Sequence, residues 1–205
     1  MRIVIFMLVL LSNPVFASSM LVLGDSLSAA YGLPLEKGWV NLMRERAQAQ
    51  DPSIDVVNAS VSGETTSGGL SRLPGLLETH APAIVLIELG ANDGLRGTPL
   101  NIVRDNLNGL VERAQASGAQ VVLIGNRLPP NYGPQYTQAF FDLFSQVATE
   151  KGVALVPFLL EGVAEDWDLM QDDGYHPKAE AQPRLLETVW PQVAPLLADG
   201  GAKGA

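Results

Sequence analysis

The sequence predicts a three-layer α/β sandwich built on a five-stranded, mostly parallel sheet. Three observations carry this. Five short apolar runs recur along the chain, and they are continuous rather than alternating, the mark of strands buried on both faces. Stretches with helical spacing lie between them, so strand and helix alternate through the chain. The runs stop at small or turn-forming residues, and the loops that follow begin at Gly24, Asn58, Gly90, Gly125 and Pro157.

The elements follow in order. Residues 1–17 read as a secretory signal peptide. Arg2 is a minimal basic region, Ile3 to Leu11 is an apolar run too short to span a bilayer, and Pro14 breaks it. Val15 and Ala17 supply small residues three before and one before a cut near Ala17. An uncleaved N-terminal anchor is the alternative. With cleavage, the mature chain keeps no stable membrane anchor and is expected in the periplasm or secreted. Strands are predicted at Met20–Leu23, Ile54–Asn58, Ala83–Leu89, Gln120–Ile124 and Val153–Val156. Helices are predicted at Lys37–Gln50, Gly68–Thr79, Leu100–Ser117 and Gln135–Lys151, with Gly118 and Gly152 just past two of their ends. A last helical stretch, Lys178–Leu197, contains Pro183, Pro191 and Pro195 and is predicted to be broken. Residues 18–197 thus form one domain, and residues 198–205, without an apolar anchor, read as a frayed tail.

Composition excludes several function classes. The net charge of −9, with no basic run, argues against nucleic-acid partners, whose phosphates need neutralising, and against docking on anionic membranes. Cysteine is absent, which removes disulfides, thiolate metal sites and cysteine nucleophiles together. His80 and His176 are the two histidines, so a multi-histidine metal cage is excluded and any histidine base is one of these. Asp172 and Asp173 alone give a cation no such cage. At this length the core needs no staples, and the chain is read as a monomer.

In sheets of this kind, sites lie outside the carboxyl ends of the strands. Four polar blocks are predicted on that rim: Gly24-Asp25-Ser26-Leu27-Ser28, Asn58-Ala59-Ser60-Val61-Ser62-Gly63-Glu64, Gly90-Ala91-Asn92-Asp93-Gly94 and Asp172-Asp173-Gly174-Tyr175-His176-Pro177. Each has a bland reading: a helix cap at Asp25 or Ser26, turn residues at Gly63 and Asn92, a surface histidine at His176. Their convergence on one edge supports acyl transfer instead. A serine hydroxyl needs a base to become a nucleophile, and a neutral imidazole serves near pH 7. His176 is the candidate base for Ser26. Asp173 could reach back across Gly174 to fix the ring's tautomer, and Asp172 competes for that role. Pro177 is expected at the first position of a helix, holding the loop. The backbone N–H groups of Ser26 and Gly63 and the Asn92 amide are candidate donors to an oxyanion. His80 reads as a helix-end residue.

These blocks resemble the GDSL esterases, or SGNH hydrolases, as they stand: Gly24-Asp25-Ser26-Leu27, Gly63, Gly90-Ala91-Asn92-Asp93 and Asp173-Gly174-Tyr175-His176. Leu128-Pro129-Pro130-Asn131-Tyr132-Gly133 is similar to the small secreted thioesterase, lysophospholipase and arylesterase members. The resemblance implies a flavodoxin-like sheet of order 2-1-3-4-5 and no cofactor or metal. It implies Ser26 as nucleophile, His176 as base, Asp173 as orienting acid, and Ser26, Gly63 and Asn92 as the oxyanion hole. It also implies a mobile substrate loop at Gly94, Leu95, Arg96, Gly97, Thr98 and Pro99, for which an ordinary strand-to-helix connection is the alternative. The expected substrates are esters and thioesters of medium or long acyl chains, lysophospholipids included. A carbohydrate O-acetylesterase and a non-catalytic periplasmic binding protein are the competing readings.

Overall fold

The computed structural model describes residues 19–202; the expected signal peptide and the last residues of the expected tail lie outside them. Five strands, β1 (Ser19–Gly24), β2 (Asp55–Asn58), β3 (Ile84–Glu88), β4 (Gln120–Ile124) and β5 (Ala154–Val156), form one sheet in the order β2-β1-β3-β4-β5. All four strand pairs are parallel. The α-helices are α1 (Trp39–Gln50), α2 (Thr66–His80), α3 (Ala91–Leu95), α4 (Leu100–Ala116), α5 (Pro134–Lys151) and α6 (Gln182–Ala202).

The continuous apolar runs follow from helices covering both faces. Side chains alternate across a strand, so neighbours along the chain serve opposite cores. Met20, Val22, Ile84, Leu86, Val122 and Ile124 pack with Trp39 and Met43 of α1 and Leu185, Val189 and Val193 of α6. Leu21, Leu23, Val85, Ile87, Val121 and Leu123 pack with Leu73 of α2, Val103 and Leu107 of α4, and Phe140 and Phe144 of α5. Burying each such side chain stabilises the fold by about 1.5–3 kcal/mol.

Three expectations are corrected. The last helix is continuous through Pro191 and Pro195. Leu185, Val189, Val193 and Leu197, spaced by one turn, are all buried, and this seam outweighs the lost backbone bonds. Both prolines sit on the exposed side, where the freed carbonyls can meet water. Pro177 does not start a helix; it bridges Met170 in an isolated antiparallel pair, and α6 begins at Gln182. Gly90-Ala91-Asn92-Asp93-Gly94 is not a plain loop, because its last four residues lie within the short helix α3.

Candidate active site

Residues 26–32 form successive turns at the carboxyl end of β1, well before α1 begins. Gly24 is required by close approach: a Cβ there would stand 2.7 Å from Ser28 Oγ and 2.9 Å from Glu88 Oε2. The Asp25 side chain does cap locally, its Oδ1 accepting the Leu27 N–H at 3.0 Å. That leaves the next residue, Ser26, free to face outward from the sheet edge.

His176 Nε2 lies 2.8 Å from Ser26 Oγ, and His176 Nδ1 lies 2.7 Å from Asp173 Oδ2. Asp173 Oδ1 meanwhile accepts the backbone N–H groups of Tyr175 at 2.9 Å and His176 at 3.0 Å. Partial burial pushes the Asp173 carboxyl up, but the bonds from the His176 ring and the two N–H groups outweigh it and hold the group below the ordinary carboxylate range. Asp172 takes no part in this chain; it lines a cleft of about 710 Å³ beside it, with Tyr31, Gly32, Gln171 and Lys178.

The histidine loop is fastened to the serine turn by two residues that sequence reasoning missed. Gln171 donates through Nε2 to the carbonyls of Tyr31 (2.9 Å) and Pro177 (3.1 Å), and its backbone N–H donates to the His176 carbonyl at 2.7 Å. The Tyr31 ring packs on the imidazole with centroids 4.4 Å apart. Neither carries a local signal, since the two partners are 140 residues apart in sequence.

The other two blocks converge on the same edge. The loop after β2 is tied to β1, with Ala59 N–H donating to Val22 and Val61 N–H to Gly24 at 2.9 and 3.0 Å. Gly63 follows in this loop with a φ of +80°, a conformation that favours glycine. Asn92, in the first turn of α3, donates through Nδ2 to Asp25 Oδ2 at 3.1 Å, which sets the amide beside the serine turn. Asp93 points the other way, accepting the Thr66 N–H and hydroxyl, each at 2.8 Å, at the start of α2. Ser26, Gly63, Asn92, Asp173 and His176 thus lie on one rim. His80 ends α2, whose chain then enters the amino end of β3, so it sits at the opposite edge.

Of the expected substrate loop, Gly94 and Leu95 belong to α3, while Arg96, Gly97, Thr98 and Pro99 connect to α4. The segment is tethered: Tyr132 Oη donates to the Leu95 carbonyl at 3.0 Å, Tyr136 Oη to the Gly94 carbonyl at 3.3 Å, and Arg96 Nη2 to the Gly63 carbonyl at 3.0 Å.

Glu88 and Asn126 were also missed, and Ser28, inside the first polar block, was given no role. Glu88 is fully buried at the end of β3, and a carboxylate inside the run Ile84-Val85-Leu86-Ile87-Glu88-Leu89 was the available signal. Burial, then the charge of Asp25, pushes Glu88 well above the ordinary range. Burial likewise pushes Asp25 up to about 6, against the pull of the Leu27, Glu88 and Asn92 hydrogen bonds and the nearby His176.

Chemically, the arrangement places a hydroxyl against an imidazole whose far nitrogen faces a carboxylate, with amide donors beside the hydroxyl. Comparisons with known proteins give the family. A model of the GDSL-like Lipase/Acylhydrolase family matches residues 22–183. The chain is 52% identical to Esterase TesA of Pseudomonas aeruginosa, over 93% of this chain and 94% of that protein. It is 47% identical to an arylesterase of Vibrio mimicus, covering 84% and 86%. It is 40% identical to thioesterase 1/protease 1/lysophospholipase L1 of Escherichia coli K12, covering 94% and 91%. The crystal structure of TesA superposes with a TM-score of 0.84 at 52% identity, covering 87% of this chain and 99% of that one. The psychrotrophic esterase EstA from Pseudoalteromonas sp., inhibited by monoethylphosphonate, superposes with a TM-score of 0.83 at 44% identity, covering 88% and 99%.

Proposed function

Since this chain belongs to the GDSL-like lipase/acylhydrolase family, we propose that it hydrolyses carboxylic esters and thioesters of medium and long acyl chains through an acyl-enzyme on Ser26. The observation that carries the reading is the unbroken chain Ser26 Oγ–His176–Asp173, at 2.8 and 2.7 Å. His176 Nε2 takes the serine proton as Oγ attacks the acyl carbon, and Asp173 holds the Nδ1–H tautomer and stabilises the imidazolium. The carbonyl oxygen becomes an oxyanion facing the N–H groups of Ser26 and Gly63 and the Asn92 amide. His176 then gives its proton to the departing alkoxide or thiolate. Water, deprotonated by the same nitrogen, attacks the acyl-enzyme and releases the acid with Ser26 restored.

The leader read from residues 1–17 supports work outside the cytoplasm, where acyl esters such as lysophospholipids are more plausible substrates than cytoplasmic acyl thioesters. No helix among the described residues is long and apolar enough to cross a membrane. The test is hydrolysis of p-nitrophenyl esters from acetyl to palmitoyl by the mature protein and by Ser26→Ala. The expected result is turnover that favours chains longer than acetyl and falls by at least about a thousandfold in the variant. Preference for acetyl would favour the deacetylase reading. Saturable binding without turnover would leave a binding protein, and equal activity in Ser26→Ala would overturn the mechanism.

A further inference from the structure

The mechanism leaves one buried cluster unused, directly beneath the nucleophile turn. Glu88 is 0% and Asp25 1% exposed. Glu88 Oε2 accepts the Ser28 hydroxyl at 2.7 Å and the Asp25 N–H at 3.3 Å, and Oε1 accepts Asn126 Nδ2 at 2.9 Å. Asp25 Oδ1 accepts the Leu27 N–H, and Oδ2 accepts Asn92 Nδ2. The two carboxyls therefore connect the ends of β1 and β3, the loop after β4 and the helix that carries the oxyanion amide. Ser26 is enclosed in this network, with both of its flanking residues bonded into it.

The energetics argue that the cluster is not incidental packing. A carboxyl in a dry sheet interior costs several kcal/mol unless it is neutral or well bonded. Every hydrogen-bond donor to this pair is neutral, and no lysine or arginine bonds to either carboxyl among the described residues. Two neighbouring buried carboxyls cannot both ionise, so the pair carries at most one charge near neutral pH. Burial pushes both carboxyls up, Glu88 well above the ordinary carboxylate range and Asp25 to about 6, and His176 is the ionisable side chain besides Glu88 that acts on Asp25. An apolar residue at position 88 would fit the adjoining core at lower cost. What it could not do is hold Ser28, the Asp25 N–H and Asn126 at once.

We propose that Glu88 is a positioning residue for the hydrolysis: paired with Asp25, it fixes the turn that presents Ser26 and, through the Asp25 carboxyl, the orientation of the Asn92 amide. An Asn92 whose oxygen, rather than nitrogen, faced the oxyanion would repel it. The Asp25 carboxylate, which can only accept, forbids that flip. The proposal rests on the esterase reading above.

The test compares Glu88→Gln, whose amide oxygen can still accept the Ser28 hydroxyl and the Asp25 N–H while its NH2 donates to a turned-over Asn126 amide, with Glu88→Leu, which fills the same space and accepts nothing. Rates are measured on p-nitrophenyl butyrate, with phosphonylation of Ser26 by a p-nitrophenyl alkylphosphonate as a second readout, since the phosphonyl oxygen occupies the oxyanion position. Glu88→Gln is expected within about fivefold of wild type. Glu88→Leu is expected to lose at least about thirtyfold in kcat and in phosphonylation rate, with KM changed by less than twofold; losing a whole oxyanion donor costs about 10²–10³. If Glu88→Leu does not fold, Asp25→Asn decides, because it keeps the volume but restores the amide flip; the same kcat-only loss is expected. A folded Glu88→Leu (or, failing that, Asp25→Asn) with wild-type kcat overturns the proposal, and so does a loss confined to KM, or a Gln variant as impaired as the Leu one. Inactive wild type, or Ser26→Ala as active as wild type, would instead overturn the esterase reading.

Discussion

The buried carboxyl pair should make the folded protein less stable as the pH rises, against the usual trend for carboxylates. Asp25 is raised from 3.8 to about 6 by burial. Between those values the native state binds more protons than the unfolded chain, so stability falls with increasing pH. The contribution is fully present below 3.8 and lost as the pH climbs through about 6. A shift of this size corresponds to about 3 kcal/mol in all, most of it lost between about pH 4 and 7. Glu88, raised by the same burial, adds to the loss at higher pH. Asp173, Asp51, Glu150 and Glu187 are all lowered and act in the opposite sense, but the last three are exposed at the surface. Comparison with a variant that lacks only the pair cancels them. Urea unfolding of wild type and of Asp25→Asn/Glu88→Gln is measured from pH 4 to 8 at fixed salt. Only the change in their difference with pH is read, so any constant cost of the substitutions drops out. The wild type should lose about 2–3 kcal/mol relative to the double variant across this range. A difference flat within about 1 kcal/mol, or one in which the wild type gains with pH, would refute the claim that this pair is buried against its ionisation.

Two further outcomes follow from the geometry. Asp173→Asn keeps an oxygen for the Tyr175 and His176 N–H groups but turns an amide donor toward His176 Nδ1, so Nε2 becomes protonated and cannot receive the serine proton; kcat should fall by about 10³–10⁴ with the melting temperature little changed. Gln171→Ala cuts the bonds from the histidine loop to Tyr31 and Pro177, and a displacement of that loop should lower kcat by at least about tenfold while leaving urea stability within about 1 kcal/mol.

The parts of the molecule legible in the sequence are those set by local chemistry. A strand buried on both faces must be apolar throughout, so Leu21 and Val22 announce β1 although they face different cores. A helix that covers one face shows it by spacing, as Val103, Leu107 and Leu110 do in α4. The polar blocks were visible for a related reason: strands end where apolar residues end, and parallel strands all end on the same rim. Asp173 lies three residues before His176, near enough for spacing to bring it forward beside Asp172, and the family resemblance chose between the two. Proline misled the reading of α6, since propensity weighs the backbone bond lost at Pro191 and Pro195 but not the four-residue seam that holds the helix down.

Glu88 and Gln171 escaped for a deeper reason. Their roles depend on partners far along the chain: Ser28 lies 60 residues from Glu88, and Tyr31 lies 140 from Gln171. Only the sheet order brings them together. Placing β3 beside β1 sets Gly24 in register with Glu88, so the last residue of one strand meets the acid that ends the next. Separating β1 or β4 from β3 would leave every local motif intact and dissolve the cluster. The residues that carry the chemistry are therefore written as short motifs, while those that hold them in place are written in the topology. A carboxyl in an apolar run is the trace the topology leaves in the sequence, because burying it makes sense only where another strand delivers its partners.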